Sequence, residues 1–194
     1  EDDADAVSAS LISPSGRVLF NQNSVTDVGP FTLTESGVYE LVQDSTSFAP
    51  TDYSFRLLDA ALQPSLALDT RESGTLSLGY QAHLLLLEPR VGLRHFFNSL
   101  SVDGGANWSF YSPNGGALAG NSINADFEAT PVQAGSHVLV LSSTSPTPKS
   151  WNSGSTLVLI TRNTPSATSR TDTSNVPPPR SNTTIFSFFF LSKP

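Results

Sequence analysis

Three histidines, His83, His95 and His137, are the side chains whose ordinary pKa suits proton exchange near neutral pH, and no cysteine accompanies them. A serine hydrolase needs a strained, exposed nucleophile with a histidine base beside it. No G-x-S-x-G elbow occurs; Gly74-Thr75-Leu76-Ser77-Leu78-Gly79 has the wrong spacing and alternates like a strand. His83 borders an apolar run, His95 precedes Phe96-Phe97, and His137 lies inside a third run. With no H-E-x-x-H or other paired-ligand spacing, they read as structural or solvent-facing histidines, and the chain reads as no enzyme.

Hard cations offer a second chemistry, because oxygen ligands clustered on loops bind calcium. Glu1-Asp2-Asp3-Ala4-Asp5 is an acidic run, and Asp103-Gly104-Gly105-Ala106-Asn107 places an acid in a glycine turn. Neither matches an EF-hand loop or a G-G-x-G-x-D repeat, so a solvated terminus and a hairpin turn are the favoured readings. No cofactor or metal site is therefore assigned. Trp108, Tyr111 and Trp151 invite stacking on a carbohydrate ring. Trp108 leads into a turn from a strand, which suggests the core; Trp151, in the polar loop Ser145–Gly154, is the better exposed candidate. Asn107-Trp108-Ser109 and Asn182-Thr183-Thr184 are sequons, meaningful only in a eukaryotic secretory host.

The elements that would hold these residues are β-strands. Charged residues are 14% of the chain, against 38% hydrophobic, so Ser, Thr, Asn, Gln and Gly carry the polarity. That composition suits half-buried strands and turns rather than helix faces solubilised by Lys and Glu. The 13 Gly and 14 Pro punctuate the chain too often for long helices. A net charge of −7 with two lysines leaves no basic stripe for nucleic acid. No apolar stretch reaches the roughly 18 residues of a membrane span. The chain has no methionine and starts at Glu1, which reads as a removed leader or a piece of a longer polypeptide.

An internal repeat organises the strands. Ser10-Leu11-Ile12-Ser13-Pro14-Ser15-Gly16 recurs as Ser109-Phe110-Tyr111-Ser112-Pro113-Asn114-Gly115, each a strand entering a Ser-Pro-x-Gly turn. Phe31-Thr32-Leu33 and Ser36–Val42 parallel Ala134–Val140, and Tyr53–Leu57 parallels Thr156–Ile160. The second copy has further strands upstream, at Leu66–Leu68, Gly74–Leu78, Leu84–Glu88 and Phe96–Val102. Residues 65–163 thus read as a complete β-sandwich or jelly-roll-like module and 1–61 as the C-terminal half of another, its missing strands lying upstream of Glu1. The half-module is expected to leave an open edge and exposed apolar area. Residues 164–194 comprise a Ser/Thr/Pro-rich linker and the apolar Ile185–Leu191. That tail fits the first strand of a further unit, a strand docking on an exposed edge, or a non-native extension.

The order of blocks resembles the bacterial pre-peptidase C-terminal domain family, over about Ser8–Asn163. The matching residues are Gly74-Thr75-Leu76, Leu84–Leu87 leading to Val91-Gly92, Trp108–Gly115, Gly135–Val140 and Thr156–Ile160. The first copy matches through Ser36–Val42 and Asp52–Leu57. Two departures stand out: His137 replaces the usual tyrosine, and the last strand lacks a Tyr-x-Phe pattern. The resemblance implies a β-sandwich in an extracellular or cell-surface setting, not a reaction. The expected role is a structural or adhesive repeat module of a bacterial exoprotein, with neighbouring modules and a carbohydrate or protein surface as partners. The alternative is an accessory domain of a secreted peptidase or other hydrolase, aiding secretion, folding or substrate attachment.

Overall fold

The computed structural model describes residues 7–23, 27–45, 54–76, 82–100, 105–143, 149–151 and 184–191. Its elements are almost all strands, in antiparallel sheets that do not close into a barrel, and the fold is an all-β sandwich.

In the first copy, Val7–Ile12 (β1) alternates buried and half-buried residues, placing Val7, Ala9 and Leu11 on the core face. It pairs antiparallel with Val18–Asn23 (β2) on one side and, across a longer connection, with Glu40–Ser45 (β4) on the other. Val28–Leu33 (β3) lies in a separate sheet and contributes Val28, Phe31 and Leu33 to a core with Ala9, Leu11 and Phe20. Phe20 and Phe31 stack at 5.4 Å between the two layers. Ser54–Asp59 (β5) leads into a 3-10 turn at Ala60–Leu62, capped by the Asp59 side chain, which accepts from the Ala61 N–H at 2.9 Å.

The second copy begins with Gly74–Leu76 (β6), Ala82–Leu87 (β7) and His95–Phe97 (β8). Ala106–Tyr111 (β9), Ala117–Ser122 (β10), Phe127–Ala129 (β11), His137–Ser143 (β12) and Lys149–Trp151 (β13) follow. A four-stranded sheet in the order β10-β9-β12-β7 faces the ribbons β11-β8 and β13-β6. Between them Phe97 stacks on Phe127 at 4.4 Å, and Trp108 meets Phe127 edge-on at 4.9 Å. The Trp108 indole N–H donates to the Ala125 carbonyl at 3.1 Å, so the fully buried ring leaves no orphan donor.

The repeat holds pairing by pairing. Leu11 opposes Phe20 and Leu41, as Phe110 opposes Ala119 and Leu139. A register shift falls at the same point of both first hairpins, between Ile12–Val18 and Leu11–Phe20 and between Tyr111–Ala117 and Phe110–Ala119. Both Ser-Pro-x-Gly turns close alike: Gly16 N–H donates to Ser13 O at 2.8 Å and Gly115 N–H to Ser112 O at 2.9 Å, with φ of +84° and +82°. Those φ values are why glycine ends the motif.

The copies differ where a strand of one has no local counterpart in the other. β12 pairs with β7, but β4, its equivalent, has no strand on that side among the described residues. Burial follows: His137–Leu141 is buried on both faces, while Glu40–Asp44 alternates exposed and half-buried. The outer residues Val138 and Val140 are covered, with Ala82 and Leu84, by Leu58 and Ala60 of the first copy. Thr32 Oγ1 also donates to Pro113 O at 2.8 Å, and Arg56 Nη2 to Ala82 O at 2.7 Å, so the copies bond directly.

The apolar tail forms Thr184–Leu191 (β14), inserted antiparallel between β3 and β5. The tail thus pairs with two strand edges, as the docking reading expected. Across the β3 pairing, Gly29 and Pro30 stand opposite the single Ser187, because Pro30 has no N–H to continue the ladder.

Two expected strands and one expected loop are corrected. Leu66–Leu68 is not a strand: only the bridge from Ser65 to Leu86 forms, and a turn begins at Leu68. The run expected at Phe96–Val102 is the short β8, with 98–100 irregular. Residues 149–151 lie in a strand on β6 rather than in a loop. The expected pairing of Thr156–Ile160 lies outside the described residues, as do the linker at 164–183 and Asp52-Tyr53.

Candidate functional site

His95, at the start of β8, and His137, at the start of β12, are both fully buried. His95 Nε2 lies 3.2 Å from the Arg90 carbonyl and His137 Nδ1 2.9 Å from that of Gly135. A carbonyl only accepts, so those nitrogens carry the hydrogens. The other ring nitrogens, His95 Nδ1 and His137 Nε2, are buried without a hydrogen-bond partner. Among the described residues, neither of these nitrogens meets a hydroxyl. His137 stacks on Phe110 at 5.2 Å, and burial pushes its pKa below the ordinary value; the Gly135 carbonyl opposes that shift and the nearby His95 charge adds to it. Both act as ring-shaped core residues.

His83, on β7, is half-buried beside Arg56 of β5. Burial lowers its pKa first, the Arg56 guanidinium lowers it further, and Glu72 partly offsets both. The two side chains line a concavity of about 150 Å³ with Leu58, Gln63, Thr75 and Leu84. A larger groove, about 450 Å³, runs between Ser65–Leu68 and the β7 edge, where Glu88, Leu86 and Ser136 complete it. Serine hydroxyls and a carboxylate over leucine side chains are the materials of a weak saccharide or peptide contact.

Trp108 is wholly buried in the core. The acidic run Glu1–Asp5, Asp103 and the Trp151 side chain lie outside the described residues, and among the described residues no three His, Asp or Glu converge as a metal set.

Two features escaped the sequence reading. The Arg56–His83 concavity joins residues from different copies, and nothing in local spacing signals it. Gln43 was legible in the repeat: aligned through Leu41 and Leu139, it takes the position of the core residue Leu141. Its amide nitrogen and oxygen are buried with no hydrogen-bond partner. Against known proteins, no family model, no curated protein and no solved structure matches the chain.

Proposed function

We propose that this chain is a non-catalytic structural and adhesive repeat module of an exported, surface-associated bacterial protein. The observation that carries the reading is the pairing-by-pairing equivalence of the two copies. They share ladders, a register shift and turn closures, the marks of one structural unit used twice. Direct bonds from Thr32 to Pro113 and from Arg56 to Ala82 favour rigid stacking of neighbouring modules. The resemblance to pre-peptidase C-terminal domains, together with the low charge and the absence of cysteine, fits a bacterial extracellular setting.

The groove at Ser65–Leu68 favours a second reading, substrate attachment beside a secreted hydrolase. The experiment assays the purified chain against casein, peptide esters and chromogenic glycosides, and screens it on a glycan array. The first reading expects no turnover. Turnover abolished by His83→Ala would overturn it, and saccharide binding lost in Glu88→Ala would favour attachment.

A further inference from the structure

The strand β14 stands in a place that no strand of the first copy fills among the described residues. In the second copy, β11 carries Phe127 opposite Phe97 of β8. In the first copy β3 is the equivalent of β11, and Val28 opposes Phe188 of β14. The second copy fills this place from its own sequence, about thirty residues upstream of β11. The first fills it from a segment more than 150 residues downstream of β3. Among the described residues β3 and β5 form no ladder except with β14, so both present unpaired N–H and C=O groups once it leaves.

We propose that the slot between β3 and β5 is a strand-acceptor site, and that the Thr184–Leu191 strand of a second copy fills it, linking chains by strand exchange. This deepens the structural-module reading by naming a second copy as the partner. The contacts are the same whether the strand comes from its own chain or from another, so only effective concentration separates the two states. The 32 residues between Trp151 and Thr184 can reach roughly 100 Å at full extension, more than enough to serve a neighbouring chain. The incoming strand offers Ile185, Phe186, Phe188, Phe189, Phe190 and Leu191, and no charge. Phe55 and Leu57 of β5 remain 45% and 47% exposed with it in place, so apolar surface persists around the slot for a partner to cover.

Cysteine trapping tests this, since the chain has no cysteine of its own. Leu57 and Phe188 are direct cross-strand partners. Full-length Leu57→Cys and Phe188→Cys variants, carrying different mass tags, are mixed at near-millimolar concentration and oxidised. A heterodimer well in excess of either homodimer, falling steeply on dilution before oxidation, is the expected result. The double variant Leu57→Cys/Phe188→Cys, oxidised when dilute, should close its disulfide within one chain. An internal disulfide without any excess of heterodimer overturns exchange and leaves the slot occupied in cis. Failure of the internal disulfide overturns the slot itself. Neither failure touches the non-catalytic reading, which the turnover assay decides.

Discussion

Gly37 lies against the ring of Pro14: a Cβ built on Gly37 would come within 2.9 Å of the proline Cβ and Cγ. Gly135 and Pro113 repeat the contact more loosely, at 3.4 and 3.7 Å. Both glycines have positive φ, +140° and +115°, so alanine is strained at either even before the clash. Gly37→Ala is expected to cost about 2–3 kcal/mol and Gly135→Ala about 1–2 kcal/mol. Gly16→Ala, at φ +84° with nothing within 4 Å of its Cβ, isolates the strain from the clash and should cost least. Urea midpoints of the three variants establish the order; equal losses would show that Pro14 yields.

Gln43 is a buried amide in a leucine's place. Replacing it by leucine, the residue at the equivalent Leu141, removes two unsatisfied polar atoms and adds apolar burial. Gln43→Leu should stabilise the protein by about 1–2 kcal/mol, whereas Gln43→Ala should gain less because it leaves a void. A larger rise in Tm for leucine than for alanine is the expected signature, and a fall for leucine would mean the amide has a partner.

Acid sensitivity follows from the histidines. Burial holds the His137 pKa below its ordinary 6.5, and burial with Arg56 does the same for His83. The unfolded chain therefore takes up protons before the folded one does, so stability is full above about pH 6.5 and falls as pH drops below it. His137→Gln should flatten that slope in urea melts between about pH 8 and pH 5. Glu35 acts lower down: the Ser15 hydroxyl is the main cause holding its carboxyl below the usual range, so its contribution is present above about pH 4.5 and is lost with further acid. An unchanged slope in the His137 variant would shift the effect to His83.

Module boundaries can be read from truncations. Residues 65–163 are expected to fold alone, while 1–61, deprived of the 184–191 strand and with no strand on the free side of β4 among the described residues, are not. Extending the second module back to Ser54 restores Leu58 and Ala60 over Ala82, Leu84, Val138 and Val140, and should raise its Tm by several degrees. A cooperative melt from 1–61 would show that the first copy needs no donated strand.

The sequence determined what local physics controls. Alternation in Val7–Ile12, the Ser-Pro-x-Gly turns and the recurrence of three blocks were legible because side-chain period and turn geometry are fixed within a few residues. The repeat also implied an open edge, and β4 has one among the described residues. Hairpin strands such as Ala117–Ser122 were hidden, because Leu118 is the one large apolar residue among Ala, Gly, Asn and Ser, and only the register to β9 makes them strands. The tertiary structure alone decided where the tail goes. Ile185–Leu191 is strand-prone in any setting, but its partners lie more than 120 residues upstream, and non-local pairing leaves no trace in local spacing. Likewise, His137 and Gln43 are polar by type, and only the layers packed around them buried both.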